Sequence, residues 1–301
     1  MGGIAFVFSG QGDQYPGMGK ELAARYPAAA SVFALCDSIR PGTSGQCFDG
    51  TEQELRMTEN TQPCLYAMEL ALAAVLVKKG LRPAAAAGFS LGEIAAAAFS
   101  GIVDLETGFR LVCRRGQLMQ EAAKGPDTAM AAVLRLSAEQ VQVICDGLEG
   151  IYPVNYNCPG QVSVAGLSEG MAEFYAQVKA AGGRAVPLKV SGAFHSPFMK
   201  EAAEAFAGEL AKETLKRGRI PLYSNMTGER YGENAAELLA GQICNPVRWE
   251  EEIRNMIAEG IDTFVEIGPG RTLTNMIKRI NPEAAARTAA EYLEEILEEM
   301  Q

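Results

Sequence analysis

One serine stands between two glycines in the segment 88–92, which reads Gly-Phe-Ser-Leu-Gly and follows a run of small apolar residues. An alanine-rich, helix-forming run comes next. This order of strand, sharp turn and helix is typical of a nucleophile elbow, in which the serine hydroxyl stands above the sheet edge. Free N–H groups at the start of the helix can stabilise an oxyanion there. The segment predicts that Ser90 is a nucleophile; a glycine-rich loop with a surface serine is the alternative.

The chain contains one histidine, His195, so any step that needs an imidazole must use this residue. It lies in the segment Ser191–Pro197, after a predicted strand and before a predicted helix. Histidines in loops at strand ends are better catalytic candidates than histidines on an apolar helix face. His195 is therefore a candidate catalytic residue, and a purely structural histidine is the alternative.

A glycine-rich loop, Ser9–Gln14, follows the apolar run Ile4–Phe8, which we predict to be a buried strand. The loop fails the Walker pattern, since no Ser or Thr follows Gly19-Lys20. It also fails the dinucleotide fingerprint, because Tyr15 stands where the third glycine belongs. Its backbone N–H groups could still serve as oxyanion donors, and a tight turn without a ligand is the alternative.

The helix predicted over 105–123 places one cation at an unusual position. On a helical wheel one face is apolar, and the opposite face is charged and includes Arg114. Arg115 instead falls about 60° from the centre of the apolar face. Unpaired burial of such a cation would cost several kcal/mol, so it needs a partner. That partner is either an internal carboxylate or the carboxylate of a substrate.

The composition is that of an ordinary globular protein, with 48% hydrophobic and 21% charged residues among 301. A net charge of −10 argues against nucleic acid or an anionic membrane as the main partner. The chain has no apolar run long enough to cross a bilayer, and its first residues lack a basic region, so we expect a cytoplasmic protein. Seven cysteines without a C-x-x-C pair favour reduced thiols over a disulfide framework, and we expect no metal site.

Alternating strands and helices predict an α/β fold with a doubly wound, mostly parallel sheet. Besides Ile4–Phe8, we predict strands at 220–224 and 263–267, helices at 19–36, 62–79 and 199–217, and an irregular stretch over 37–60. The loops that carry Gln11, Ser90 and His195 all follow predicted strands. In a parallel sheet such loops meet at the carboxyl edge, where active sites form.

The pattern of predicted elements changes between Lys124 and Val190. Strands are predicted at 128–136, 151–156, 161–165 and 184–190, with helices at 137–148, opened by a Ser-x-x-Gln capping box, and at 168–181. The order βαββαβ is typical of a small ferredoxin-like α+β unit. We therefore predict an inserted subdomain over 125–190 in a larger subdomain formed by 1–124 and 191–301.

Seven short motifs occur in an order found in one enzyme family. They are GQG-x-Q at 10–14, GFSLGE at 88–93, RRGQLMQEA around Arg115, NYNCPGQ at 155–161, GAFHS at 192–196, NPVRW at 245–249 and EIGPG at 266–270. Together they make the chain similar to the malonyl-CoA:acyl carrier protein transacylases of fatty-acid synthesis and to the acyltransferase domains of polyketide synthases. The resemblance covers essentially the whole chain and implies a hydrolase-like core.

The resemblance also implies a role for each site residue. Ser90 would attack a malonyl thioester, and His195 would be the general base. The backbone N–H groups of Gln11 and Leu91 would form the oxyanion hole, and Arg115 would hold the malonyl carboxylate. Three further assignments follow: the backbone carbonyl of Gln242 orients the histidine, Asn157 lies at the cleft, and Phe89 replaces the family's usual histidine near the acyl carboxylate.

The implied reaction is a ping-pong transfer through a malonyl-Ser90 ester to the phosphopantetheine thiol of acyl carrier protein. It needs no metal and no bound cofactor, and we expect a monomer. The rival interpretations are a stand-alone acyltransferase of a polyketide synthase, an acyl hydrolase, and a non-catalytic scaffold for carrier protein. Phe89 is expected to tune affinity or selectivity without abolishing activity.

Overall fold

Strands and helices alternate along most of the chain in the computed structural model, which describes residues 2–299. The strands are β1 Gly3–Phe8, β2 Ala85–Gly88, β3 Thr128–Leu134, β4 Ile151–Cys158, β5 Gln161–Leu167, β6 Arg184–Pro187, β7 Ile261–Ile267 and β8 Ala285–Thr288. The α-helices before the third strand are α1 Lys20–Arg25, α2 Pro27–Ile39, α3 Thr43–Asp49, α4 Glu52–Arg56, α5 Thr58–Lys78, α6 Gly92–Ser100 and α7 Leu105–Ala122. The later ones are α8 Ala138–Asp146, α9 Met171–Ala180, α10 Lys200–Leu210, α11 Ala235–Gly241, α12 Trp249–Ala258, α13 Thr272–Ile280 and α14 Ala289–Glu299.

A parallel sheet in the order β2-β1-β7-β8 forms the centre of the larger part of the molecule. Its central strand reads as the apolar run expected of a strand covered on both faces, and Ala5 to Phe8 are fully buried. Helices α5, α6 and α7 cover one face with a continuous apolar core. The fold is the α/β class with a mostly parallel sheet that the sequence predicted.

The segment between α7 and α10 contains the second sheet, which is antiparallel and has the order β4-β5-β3-β6. Its elements follow the predicted order βαββαβ, with α8 and α9 packed on one face. The predicted capping box is present, since Ser137 and Gln140 exchange hydrogen bonds at the start of α8. The sequence therefore predicted the small ferredoxin-like α+β unit, and its limits at 125 and 190 remain a proposal.

Several predicted elements differ from those observed. The helix expected over 19–36 is broken at Tyr26, because the following Pro27 disfavours helical backbone at the residue before it. The stretch expected to be irregular over 37–60 contains α3, α4 and the ends of two longer helices. The strand expected at 220–224 is reduced to two isolated bridges, Leu222 with Ala86 and Tyr223 with Arg230. Helix α10 ends at Leu210, short of the expected 217.

Among the helices that the structure describes, none has both the length and the apolar character needed to cross a membrane.

Close backbone contacts explain why both residues that flank the elbow, Gly88 and Gly92, are glycines. A Cβ at Gly88 would lie 2.1 Å from the backbone of Gly92, and a Cβ at Gly92 would lie 2.3 Å from the carbonyl oxygen of Phe8. Helix α6 can therefore pack directly against β1 and β2. Ser90, between them, has a φ of 56°, a left-handed conformation that side-chain-bearing residues seldom adopt.

We expect the substitution Gly88→Ala to destabilise the protein by about 1–3 kcal/mol, because backbone atoms cannot move away from the added methyl group. Gly208→Ala is the matched control, since no atom lies within 4 Å of a Cβ placed there, inside α10. That control should stabilise the protein by about 0.5–1 kcal/mol. Urea unfolding of both variants measures the difference, and equal stabilities would contradict the packing argument.

Candidate active site

Ser90 and His195 meet at the carboxyl edge of the parallel sheet. The Oγ atom of Ser90 lies 2.7 Å from Nε2 of His195. Ser90 stands on the turn between β2 and α6, and His195 lies in the loop between β6 and α10. A serine hydroxyl in hydrogen-bond contact with an imidazole is the pair needed for nucleophilic catalysis. Both residues border the same cavity.

The imidazole of His195 is held as a neutral base. Its Nδ1 atom lies 2.7 Å from the backbone carbonyl oxygen of Gln242, which can only accept, so Nδ1 carries the proton. Nε2 is then free to accept the Ser90 proton. Burial, together with the positive charge of Arg115, lowers the pKa of His195 to about 4. The base is therefore unprotonated at neutral pH.

Arg115 is fully buried, and its guanidinium contacts neutral groups. It donates to the side-chain oxygens of Gln62, at 2.9 Å, and Gln242, at 2.8 Å, and to Ser90 Oγ at 3.3 Å. No carboxylate within residues 2–299 forms an ion pair with it, and its Nε atom has no hydrogen-bond partner there. Burial lowers the pKa of Arg115 to about 10, so the cation persists at neutral pH. The buried carboxyl group of Glu93 is near enough for its charge to act on the pKa of Arg115, but the two side chains form no ion pair in the described chain.

Gln242 connects three residues of the site. Its backbone carbonyl accepts from His195, and its side-chain oxygen accepts from Arg115. Its side-chain Nε2 atom donates to the backbone oxygen of Ser90 at 3.0 Å. This completely buried glutamine therefore fixes the base, the cation and the elbow relative to one another.

Two backbone N–H groups are positioned beside the serine. Leu91 follows Ser90 and precedes the first residue of α6, and Gln11 lies in the loop after β1. Both residues border the cavity with Ser90 and His195. Neither N–H group has an acceptor within the part of the chain that the structure describes. Such free donors beside a nucleophile are the arrangement of an oxyanion hole.

The cavity has a volume of about 260 Å³ and lies between the parallel sheet and the small α+β unit. The small unit contributes Asn157, which is buried and donates to Ser163 Oγ at 3.2 Å. The Oδ1 atoms of Asn157 and of its neighbour Asn155 are buried and have no partner in the described chain. Both oxygens can accept a hydrogen bond from a donor that enters the cavity.

Phe89 contributes an apolar ring to the cavity wall. The ring packs edge-on against Trp249, with centroids 5.6 Å apart, and offers no polar atom. The structure thus brings all eight predicted site residues to one place: Gln11, Phe89, Ser90, Leu91, Arg115, Asn157, His195 and Gln242.

Sequence reasoning missed Gln62 and Asn225. Gln62 binds Arg115, and Asn225 accepts the backbone N–H of Ser90 at 2.7 Å. Gln62 directly follows the polar first turn of α5, Thr58–Thr61, so its residue type did not single it out. Asn225 lies in a loop after the Leu222 bridge and shows no pattern in the sequence.

The geometry is suited to acyl transfer from a substrate with a short, negatively charged acyl group. The nucleophile, base and free N–H groups can perform the addition and the collapse of a tetrahedral intermediate. The uncompensated guanidinium beside Ser90 can bind a carboxylate close to the reacting carbon.

Comparison with protein families matches residues 5–294 to the family described as acyl transferase domain. The malonyl CoA-acyl carrier protein transacylase of Bacillus subtilis (strain 168) is 39% identical over 289 residues. That alignment covers 93% of this chain and 91% of the relative.

Two solved structures are also similar. The crystal structure of a malonyl CoA-acyl carrier protein transacylase from Clostridium perfringens superposes with a TM-score of 0.94 at 36% identity and covers 99% of this chain and 98% of its own. The complex of a type II polyketide synthase acyl-carrier protein with its malonyl-transacylase gives a TM-score of 0.90 at 36% identity, with 95% of both chains covered.

We expect the reactivity of Ser90 to depend on pH through His195. The rate of labelling by a neutral, serine-directed fluorophosphonate should be level from neutral pH down to about 5 and fall below that, as His195 takes up a proton with its pKa near 4. In Arg115→Ala the midpoint should move to higher pH, because the neighbouring positive charge is gone. Identical midpoints would show that Arg115 does not act on the base.

Proposed function

We propose that this chain, which belongs to the acyl transferase domain family, transfers the malonyl group of malonyl-CoA to the phosphopantetheine thiol of acyl carrier protein. The observation that carries the proposal is the buried guanidinium of Arg115, which lies 3.3 Å from Ser90 Oγ and forms no ion pair with a carboxylate of the described residues. In a malonyl-Ser90 ester, one methylene group separates the ester carbonyl carbon from the free carboxylate. The guanidinium therefore lies within reach of that carboxylate.

In the first half-reaction, Ser90 Oγ attacks the thioester carbon while Nε2 of His195 takes the hydroxyl proton. The oxyanion that forms accepts hydrogen bonds from the N–H groups of Gln11 and Leu91. The intermediate then breaks the carbon–sulfur bond, and the departing sulfur of CoA takes the proton from His195. A malonyl-Ser90 ester remains, and Arg115 holds its carboxylate by charge-assisted hydrogen bonds.

In the second half-reaction, the phosphopantetheine thiol of the carrier protein attacks the ester. Nε2 of His195 removes the thiol proton and then returns it to Ser90 Oγ as the carbon–oxygen bond breaks. Gln242 keeps the imidazole oriented throughout by accepting from Nδ1. The acyl group stays covalently bound to Ser90 between the two steps, so the proposal includes no bound cofactor.

Asn157, Asn155 and Phe89 complete the proposed binding site. The free side-chain oxygens of the two asparagines can accept from the amide N–H groups of a pantetheine arm. Phe89 narrows the cavity beside Ser90. We also propose a cytoplasmic location, which is supported by cysteines that are all unpaired in the part of the chain described.

A polyketide carrier protein is the second candidate acceptor. It is favoured by the similarity to the transacylase that was solved with a type II polyketide synthase carrier protein. The chemistry would be the same with either carrier. A rate comparison between a fatty-acid carrier protein and a polyketide carrier protein distinguishes them.

Intact-mass measurement tests the proposed function. Mixing the protein with malonyl-CoA should give a stable malonyl adduct, and Ser90→Ala should give none. Added holo-carrier protein should discharge the adduct faster than water does, which separates a transferase from an acyl hydrolase. The proposal would be contradicted if no adduct formed at any pH, or if carrier protein discharged the adduct no faster than water does.

We expect Gln62→Glu to reduce selectivity for malonyl. The new carboxylate would lie against Arg115 at the position of the Gln62 oxygen and neutralise the cation internally. The KM for malonyl-CoA should rise about 10-fold or more, the scale of one lost charge-assisted interaction, while loading from acetyl-CoA is retained or gained.

Gln120→Glu is the matched control for that experiment. Gln120 also lies on the contact between α5 and α7, but its side-chain oxygen accepts from the backbone N–H of Thr58 and not from Arg115. This variant adds the same charge and should leave the ratio of malonyl to acetyl loading unchanged. Equal effects of both variants would mean that net charge, and not the charge on Arg115, sets the selectivity.

A further inference from the structure

The conformation of Ser90 requires an explanation beyond its contact with His195. Its φ of 56° is left-handed, although the residue is not glycine. Such a conformation persists only where the surrounding structure holds it. Two glycines allow the close approach of α6, but they do not themselves fix the peptide groups that lead into the serine.

Asn225 contacts the two consecutive peptide groups that lead into Ser90. Its Oδ1 atom accepts the N–H of Ser90 at 2.7 Å, and its Nδ2 atom donates to the carbonyl oxygen of Gly88 at 2.6 Å. The side chain thus ties the end of β2 to the nucleophile. We propose that Asn225 is the positioning residue that holds the strained elbow, so that Ser90 Oγ points at the base.

The surroundings permit one orientation of the Asn225 side chain. The Ser90 N–H must meet an oxygen, whereas the Gly88 carbonyl and Oε1 of Glu252, 3.0 Å from Nδ2, must meet a donor. An asparagine supplies one acceptor and two donors in this geometry. An aspartate of the same shape would keep the first contact and lose the others.

The backbone of Asn225 is also fixed. Its N–H donates to Oε1 of Glu93 at 3.0 Å, and its carbonyl accepts from the N–H of Arg248 at 2.8 Å. Tyr231 donates its hydroxyl proton to the same Glu93 oxygen at 2.6 Å. Burial raises the pKa of Glu93 to about 8 and raises that of Glu252 well above its usual range. Asn225 therefore lies in a fixed, buried frame built from α6 and α12.

Any effect of Asn225 on the reaction must be transmitted through the elbow that carries Ser90. It is fully buried and does not border the cavity, so it does not touch the acyl group. Loss of its hydrogen bonds should change the direction of Ser90 Oγ and leave the binding of malonyl-CoA largely intact. The inference rests on the proposed function for its natural substrate, although the nucleophilicity of Ser90 can be measured without that substrate.

The test compares Asn225→Asp and Asn225→Ala with the wild type by rapid-mixing intact mass. The rate of malonyl-Ser90 formation should fall about 100-fold, the scale of a small misplacement of a reacting group. The KM for malonyl-CoA should change by less than about threefold, since the Arg115 contacts are untouched. Labelling of Ser90 by the fluorophosphonate should slow by a similar factor.

Two pairs of variants distinguish positioning from general stability. Asn255→Ala is the matched control, because Asn255 donates to the carbonyl of Gly228 from α12 and does not contact the elbow. Glu252→Leu removes an acceptor of Asn225 and should slow acylation, whereas Glu252→Gln keeps the acceptor and should restore much of the rate. Thermal unfolding of each variant gives the folded fraction.

A wild-type rate of acylation in folded Asn225→Asp would overturn the inference. So would an Asn225 variant whose acylation rate falls no more than that of Asn255→Ala at the same stability. The proposed function fails separately, if wild-type protein reacts with the fluorophosphonate at Ser90 but forms no malonyl adduct. In that case the fluorophosphonate rates of the Asn225 variants alone decide whether Asn225 positions the nucleophile.

Discussion

A buried cation that forms no ion pair within residues 2–299 is the constraint on which the site depends. Arg115 is fully buried, and two neutral glutamines hold it by 2.9 Å and 2.8 Å hydrogen bonds. These bonds offset part of its desolvation without cancelling its charge. Burial and, after it, this remaining charge lower the pKa of His195. The guanidinium thus adds to the effect of burial on the base and, in the proposed function, favours a carboxylate-bearing acyl group beside Ser90.

The sequence predicted features that depend on local pattern. The apolar run of β1, the elbow at Ser90 and the βαββαβ unit each follow from spacing within one segment. The helical wheel separated buried Arg115 from half-exposed Arg114 one position away. The amides that hold the site could not be predicted in this way, because Gln62 and Asn225 lie 53 and 135 positions from the residues they bind.

The incorrect elements show where local pattern is overridden. In the stretch expected to be irregular, Thr51 and Glu54 form a capping box that opens α4, a signal that was present in the sequence. The chain at 220–224 cannot extend the sheet as a full strand, since Pro221 has no N–H to donate. Helix α10 stops early, and the N–H groups of Lys216 and Arg219 instead bind carbonyl groups at the end of α6 and just after it, those of Ile102 and Ser100. Tertiary hydrogen bonds decided this last boundary.

Phe89 shows how the site works without a polar residue before the nucleophile. Its ring packs on Trp249, whose indole N–H is buried and has no acceptor in the described chain. Phe89 can give no hydrogen bond to a carboxylate or to Arg115. The orientation of Arg115 therefore depends on Gln62 and Gln242. In the proposed function, the selectivity for an anion comes from the charge that these amides leave uncompensated.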